Sequence, residues 1–315
     1  MKTNSAQAAA VPNTVACRFT GKSHVRSGKP CQDAYATGTA RDGRIILALA
    51  DGVSNSPNSE AAAQAAVQAA VEFWQEFDTG FPGEDAWQSG LRASMNYALR
   101  KVEEAGAGKE EAYGYETTLI IALVRPGKEM VYSFVGDSGI YLLQDDGTVR
   151  LAEERMREED GSVCTLSSGP EGWKYGKQNL EDCRAVLLVT DGVSDTIREA
   201  DEHYALVGSF LAGAATDEDY EKHCRAELEK DAFRDMEDDA TFVLCRLKAG
   251  SGPVSPGKTE PAKPKEPAEP KEPTKPKEPT EPAAAVRPWN EPEDHPKKKK
   301  NTGLIGKLFR GFFGD

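Results

Sequence analysis

The chain has 315 residues, enough for one large domain or two small ones, and at 38% hydrophobic content it can build a core over part of its length. Its net charge of −13 is unevenly spread: residues 1–250 carry 26 Lys+Arg against 42 Asp+Glu, whereas residues 251–315 carry 13 against 10. An acidic body repels phosphate backbones, which argues against nucleic acid as a partner and is compatible with bound cations or basic proteins.

In chain order, residues 1–14 read as a flexible leader and Val15–Phe19 as a first strand. Gly21–Tyr35 follows as a polar loop broken by Gly and Pro, with a carboxylate, Asp33, near its end. Tyr35–Thr39 and Ile45–Ala50 flank Arg41-Asp42-Gly43-Arg44, which predicts a hairpin placing Asp33 and Asp51 at the same end of neighbouring strands. The second of these strands belongs to IILALADGVS, Ile45–Ser54, an apolar run that stops abruptly at Asp51-Gly52. The pattern returns in AVLLVTDGVS, Ala185–Ser194, ending at Asp191-Gly192. Two strand ends that each deliver Asp-Gly point to one shared site. Converging carboxylates repel, so a hard cation is their natural partner. Taken alone, either Asp-Gly also reads as a hairpin turn.

A helix is predicted over Ser59–Phe77, with Ser59 as N-cap, Glu60 in the first turn, an alanine-rich body and an apolar stripe of Val67, Val71, Trp74 and Phe77. A second runs from Asp85 to Glu104, with Trp87, Leu91, Met95, Ala98 and Val102 on one face. Strands Thr117–Val124, Met130–Val135, Ile140–Leu143 and Val149–Ala152 come in series, joined by tight turns, and read as an antiparallel meander. Inside it, Gly136-Asp137-Ser138-Gly139 is either a bulge or a third site carboxylate. Residues 153–184 read as polar and irregular, anchored by Trp173 and Tyr175. After the strand Ala185–Thr190, helices are expected near Asp201–Ala212 and Asp217–Phe233, and Glu237-Asp238-Asp239 opens a last apolar strand ending at Leu247.

Beyond Ala249 the composition changes: thirteen of the nineteen prolines lie in residues 251–315. Repeats such as Pro264-Lys265-Glu266-Pro267 cannot bury a core, so 250–296 reads as a disordered, extended linker. In the final segment, 297–315, four lysines precede Leu304, Ile305, Leu308, Phe309, Phe312 and Phe313, which share one face of a helix. That basic amphipathic pattern suits an anionic membrane surface or a groove on a partner protein. Cys17, Cys31, Cys164, Cys183, Cys224 and Cys245 form no CxxC pair and no zinc spacing. The N-terminus lacks the apolar core of a secretory signal, and no run is apolar enough to span a bilayer. Reduced thiols in a cytoplasmic protein are the expectation, with the last segment peripheral to the inner membrane face.

Read together, Gln32-Asp33-Ala34, Ala50-Asp51-Gly52-Val53-Ser54, Thr117-Thr118-Leu119, Val135-Gly136-Asp137-Ser138, Val189-Thr190-Asp191-Gly192-Val193 and Asp238-Asp239-Ala240-Thr241 occur in the order found in metal-dependent protein phosphatases of the 2C type. Residues 15–249 resemble the bacterial branch of that family. The resemblance implies an α+β fold, a four-layer α-β-β-α sandwich of two antiparallel sheets flanked by helices. It implies serine/threonine phosphoprotein hydrolysis by a metal-activated water at a two-ion Mn²⁺ or Mg²⁺ centre. Asp51 would bridge the ions, the Gly52 carbonyl would ligate one, and Asp191 and Asp238 would complete the other's shell. Asp33 would hold a metal-bound water, and Asp137 would bind a third, looser ion with Asp191. The implied partners are a phosphorylated protein and, through it, a serine/threonine kinase.

The sequence departs from the family pattern at Gln32, where many relatives have Glu, at Gly28 and Gly139, often Arg, and at Val53, where some carry His. His24, Arg26 and Lys29 are the remaining candidates to contact substrate, although a lone loop His is more often a surface residue. The departures motivate an alternative: a catalytically weak or inactive module that binds a phosphoprotein or kinase.

Overall fold

The computed structural model describes residues 14–76, 86–107, 114–146, 148–153, 155–199 and 236–247, with positions 222 and 226. Residues 1–13 of the leader, the two helices expected after residue 200 apart from positions 222 and 226, the linker and the 297–315 segment lie outside the described residues, as do Phe77, Asp85 and Cys224.

Ten strands form two antiparallel five-stranded sheets. One is ordered β2 (Ala34–Thr39), β3 (Ile45–Ala50), β4 (Leu119–Arg125), β5 (Glu129–Val135), β8 (Lys174–Asn179). The other is ordered β1 (Thr14–Phe19), β10 (Ala240–Arg246), β9 (Cys183–Val189), β6 (Gly139–Gln144), β7 (Val149–Leu151). The sheets face each other across a core in which Leu47, Leu49, Ile120, Phe134, Leu142 and Leu188 are fully buried.

The long apolar runs follow from this layering. Alternate side chains of a strand leave opposite faces. In β3, Ile45, Leu47 and Leu49 enter the inter-sheet core, while Ile46, Ala48 and Ala50 meet the helices on the outer face. A strand covered on both sides has no polar alternation to show. Those helices are α2 (Ser59–Glu76) and α3 (Ala86–Gly106), which pack on each other and on this sheet. The small face of α2, with Ala62, Ala63, Ala66 and Ala70 fully buried, seats it closely on the sheet. The outer face of the second sheet carries its own apolar cluster, in which Val193 of α4 (Asp191–Glu199) packs with Val189, Ala240 and Phe242. The four layers are those expected.

Four local expectations are corrected. The loop at 21–35 contains a short helix, α1 (Lys22–Ser27). Ser59 is not a cap: the turn opens with Ala62 N–H donating to the Asn58 carbonyl, and the Ser59 hydroxyl is buried without a partner. The meander is broken, because β5 and β6 belong to different sheets and Gly136-Asp137-Ser138 crosses between them. Residues 174–179 form the edge strand β8, paired with β5 from Glu129↔Asn179 to Phe134↔Lys174. Its sequence, KYGKQN, lacks an apolar face, since an edge strand needs little burial on its outer side.

Candidate metal centre

The strands of both sheets end together at one edge of the sandwich, and their exits carry the acidic residues. Asp51 follows β3, and Thr117 and Thr118 fix its backbone. Its N–H donates to Thr118 Oγ1 at 2.9 Å, and its carbonyl accepts from Thr118 N–H at 2.8 Å and Thr117 Oγ1 at 3.0 Å. Gly52 is packed so tightly that a Cβ there would sit 2.7 Å from the Gln32 carbonyl oxygen and 2.8 Å from Ser59. Asp191 opens α4 just past β9, where a negative charge in the first turn is favoured. Asp137 sits in the crossing between the sheets. Neither Asp-Gly is a hairpin turn.

Oxygens of Asp51, Asp137 and Asp191 all lie within 4.8 Å of one another. Asp238 is outside that cluster. Its side chain is exposed and its Oδ1 accepts the Asp239 N–H at 2.8 Å, yet its charge still raises the pKa of Asp51 and Asp191. Asp33 is 1% exposed, with Oδ2 accepting from Thr190 Oγ1 at 2.9 Å and Oδ1 without a partner.

Burial dominates the electrostatics. It pushes Asp33 up to about 8 and Asp191 up to about 6, with Asp137 and Asp238 adding to the rise at Asp191. Burial also holds Asp51 well above the usual carboxylate range, reinforced by Asp33 and Asp191. Asp137 is raised by burial despite the opposing pull of Arg157 and Arg155. Carboxylates arranged this way want positive charge. Together with the unpartnered buried oxygens Gln32 Oε1 and Asp33 Oδ1, they fit a hard, oxygen-loving divalent cation.

The remaining predicted residues lie in different settings. His24 is buried rather than on the surface, with Nδ1 2.8 Å from Asp239 Oδ2. Arg26 is exposed and commits its guanidinium to Glu237. Lys29 lines a groove of about 500 Å³ with Gln32, Ser54, Asn55, Pro57 and Glu60, beside the exit of β3. Gly28 caps α1 in the left-handed conformation, φ 68°, where an arginine would be strained.

Sequence reasoning missed Asp239. It is 2% exposed and accepts from Gly21 N–H at 2.8 Å and Gln32 N–H at 2.6 Å as well as facing His24. It ties the loop carrying Asp33 to the start of β10. Arg155 and Arg157 were also missed, and an Arg-x-Arg pair in an acidic chain was the available signal.

Residues 20–230 match the sequence family described as protein phosphatase 2C. A comparison with curated protein sequences gives no match. Among solved structures, the Staphylococcus aureus serine/threonine phosphatase Stp1 superposes with a TM-score of 0.60 at 14% identity, covering 76% of this chain and 96% of that one. The S. agalactiae serine/threonine phosphatase gives 0.59 at 18%, covering 75% and 99%. The catalytic domain of the serine threonine protein phosphatase PstP, in complex with two manganese ions, gives 0.55 at 21%, covering 74% and 96%. With the family match spanning more than half of its length, this chain belongs to the protein phosphatase 2C family and is an enzyme of the serine/threonine protein phosphatase class.

Proposed function

We propose that the protein hydrolyses phosphoserine and phosphothreonine monoesters in proteins at a two-ion centre. Asp51 and the Gly52 carbonyl would hold one Mn²⁺ or Mg²⁺ ion, and Asp51, Asp191 and Asp238 the other. The observation carrying this reading is the convergence of Asp51, Asp137 and Asp191 at the shared edge of two sheets. Among the described residues, Asp51 and Asp191 have no basic partner in ion-pair contact. When bound, such ions supply an acidified water and offset charge on the phosphoryl oxygens.

The chain's own residues prepare the site. Thr117 and Thr118 fix the Asp51 backbone, and Thr190 orients Asp33 so that its Oδ1 is left to accept from a water. Asp239 and His24 hold the Gln32–Asp33 loop in place. Of the three substrate candidates, Lys29 is the one on the groove, so we assign it the flanking contact to the phosphoprotein. A serine/threonine kinase as the source of that phosphoprotein, a cytoplasmic location, and attachment of 297–315 to an anionic membrane or partner groove complete the proposal. No helix among the described residues is long and apolar enough to cross a membrane.

Hydrolysis of an aryl phosphate by the full chain, with and without Mn²⁺, tests the reading. Turnover should require the ion, vanish with chelator and be lost in Asp51→Asn. Turnover that survives chelation would overturn it. Mn²⁺ binding without turnover would favour the silent, phosphoprotein-binding alternative raised by Gln32 and Gly28.

A further inference from the structure

Arg155 and Arg157 lie two residues apart on the segment after β7 and have different partners. Arg155 Nη2 donates to Ser194 Oγ at 2.6 Å and pairs with Asp195, so it fastens the segment to α4, the helix that carries Asp191. Arg157 Nη2 donates to Asp137 Oδ2 at 2.5 Å, and its Nη1 donates to the Gly161 carbonyl at 3.1 Å. The Asp137 side chain is 1% exposed and that of Arg157 is 43% exposed, so a solvent-reached guanidinium caps a buried carboxylate. Asp137 is also one of the three carboxylates within 4.8 Å of one another. Among the described residues, Arg157 is the one basic side chain in ion-pair contact with that cluster.

A buried carboxylate needs a compensating charge, and removing its partner leaves a heavy penalty. A guanidinium and a divalent ion answer that need at the same carboxylate but disfavour each other there, since two cations a few ångströms apart in a poorly solvated site repel strongly. We propose that Arg157 is a tethered counter-ion of Asp137 that competes with a divalent cation for this carboxylate. Cation binding at Asp137 is then linked to release of the 157–163 turn. The inference rests on the reading of Asp51 and Asp191 as ion ligands.

The turn is built to move as a unit. It is closed by the Arg157↔Val163 bridge and by Glu158 N–H donating to the Ser162 carbonyl at 2.8 Å. Arg155 and the Met156 N–H bond to the Gly136 carbonyl, 2.8 Å, hold its base. Linkage is reciprocal: whatever loosens Arg157 tightens the ion, and the ion loosens the turn.

Mn²⁺ titrations of the full chain, by calorimetry and by the electron spin resonance of free Mn²⁺, test this. Arg157→Ala and Arg157→Gln should tighten the weakest Mn²⁺ site about ten-fold or more, within the usual range of coupling between sites. Arg157→Lys, which keeps the charge, should stay near wild type, and adding Asp137→Asn to Arg157→Gln should abolish the gain. In the wild type, saturating Mn²⁺ should speed amide hydrogen exchange over 157–163, and in Asp137→Asn it should not. Unchanged affinity in Arg157→Gln, or unchanged exchange in Mn²⁺-loaded wild type, overturns the proposal and leaves the two-ion reading standing. A wild type that binds no Mn²⁺ removes both.

Discussion

Asp191→Asn should stabilise the metal-free protein at pH 8 and destabilise the metal-loaded one relative to wild type. In the fold without ions, burial first and then Asp137 raise the Asp191 carboxyl from 3.8 to about 6. The folded chain therefore keeps its proton up to about pH 6, whereas the unfolded chain releases it near 4. Stability falls as pH climbs between those values, and the full penalty persists above them. A difference of about two pH units corresponds to roughly 3 kcal/mol. Asn removes that penalty but also a favourable charge at the start of α4, about 0.3–1 kcal/mol, so the net gain is about 2 kcal/mol. For a domain of this size each kcal/mol moves Tm by about 2–4 °C, so the variant should melt roughly 4–8 °C higher after chelation at pH 8. At pH 5, between the two values, only about half of that penalty is present, so the gap in melting temperature should shrink to about half or less. Mn²⁺ at about 100 times its dissociation constant adds roughly 2.7 kcal/mol to the protein that binds it and should reverse the order. Calorimetric melts at the two pH values, with chelator and with Mn²⁺, decide the matter. A metal-free variant that melts below wild type at pH 8, or a difference that ignores pH, would refute the reasoning.

Other outcomes follow from named contacts. Asp239→Ala leaves the buried amides of Gly21 and Gln32 without their acceptor, each worth about 1–3 kcal/mol, so the urea midpoint should fall by an amount equivalent to roughly 2–6 kcal/mol even without metal. Cys31→Ser should retain most aryl phosphate turnover, because burial and then Asp33 push the Cys31 thiol up and keep it neutral; loss of turnover with unchanged Mn²⁺ binding would contradict this. With anionic vesicles at low salt, the full chain should sediment while a chain ending at Pro296 stays in the supernatant, and equal recovery of both would exclude the membrane surface.

Much of the fold was legible because its middle layers are buried on both faces. IILALA and LIIALVR show continuous apolar runs, and the observed bounds of β3 match the expected ones. What failed was assignment of strands to sheets. Three residues between β5 and β6 look the same in sequence whether the chain reverses beside itself or crosses to the facing sheet. The difference lies in what Phe134 and Ile140 meet, since both point into the inter-sheet core from opposite sides. The strand β8 stayed hidden because pairing along one edge, through backbone groups, asks little of its side chains.

At the site, Asp51 and Asp191 were legible because a carboxylate placed directly after an apolar run has no burial reason to be there. Asp239 and Arg157 were not, because each acquires its meaning from a partner that only the fold brings near: Asp239 faces His24 across 215 residues of sequence. The adjacent pair Asp238-Asp239 shows the physical distinction. The backbone bends at Asp238 just before β10, and one step along it separates Asp239, 2% exposed and engaged at both oxygens by the loop of Asp33, from Asp238, exposed and electrostatically felt by Asp51 and Asp191. The acidic doublet divides its labour at that bend: the inward residue positions the loop, and the outward one stays at the surface with its charge reaching Asp51 and Asp191.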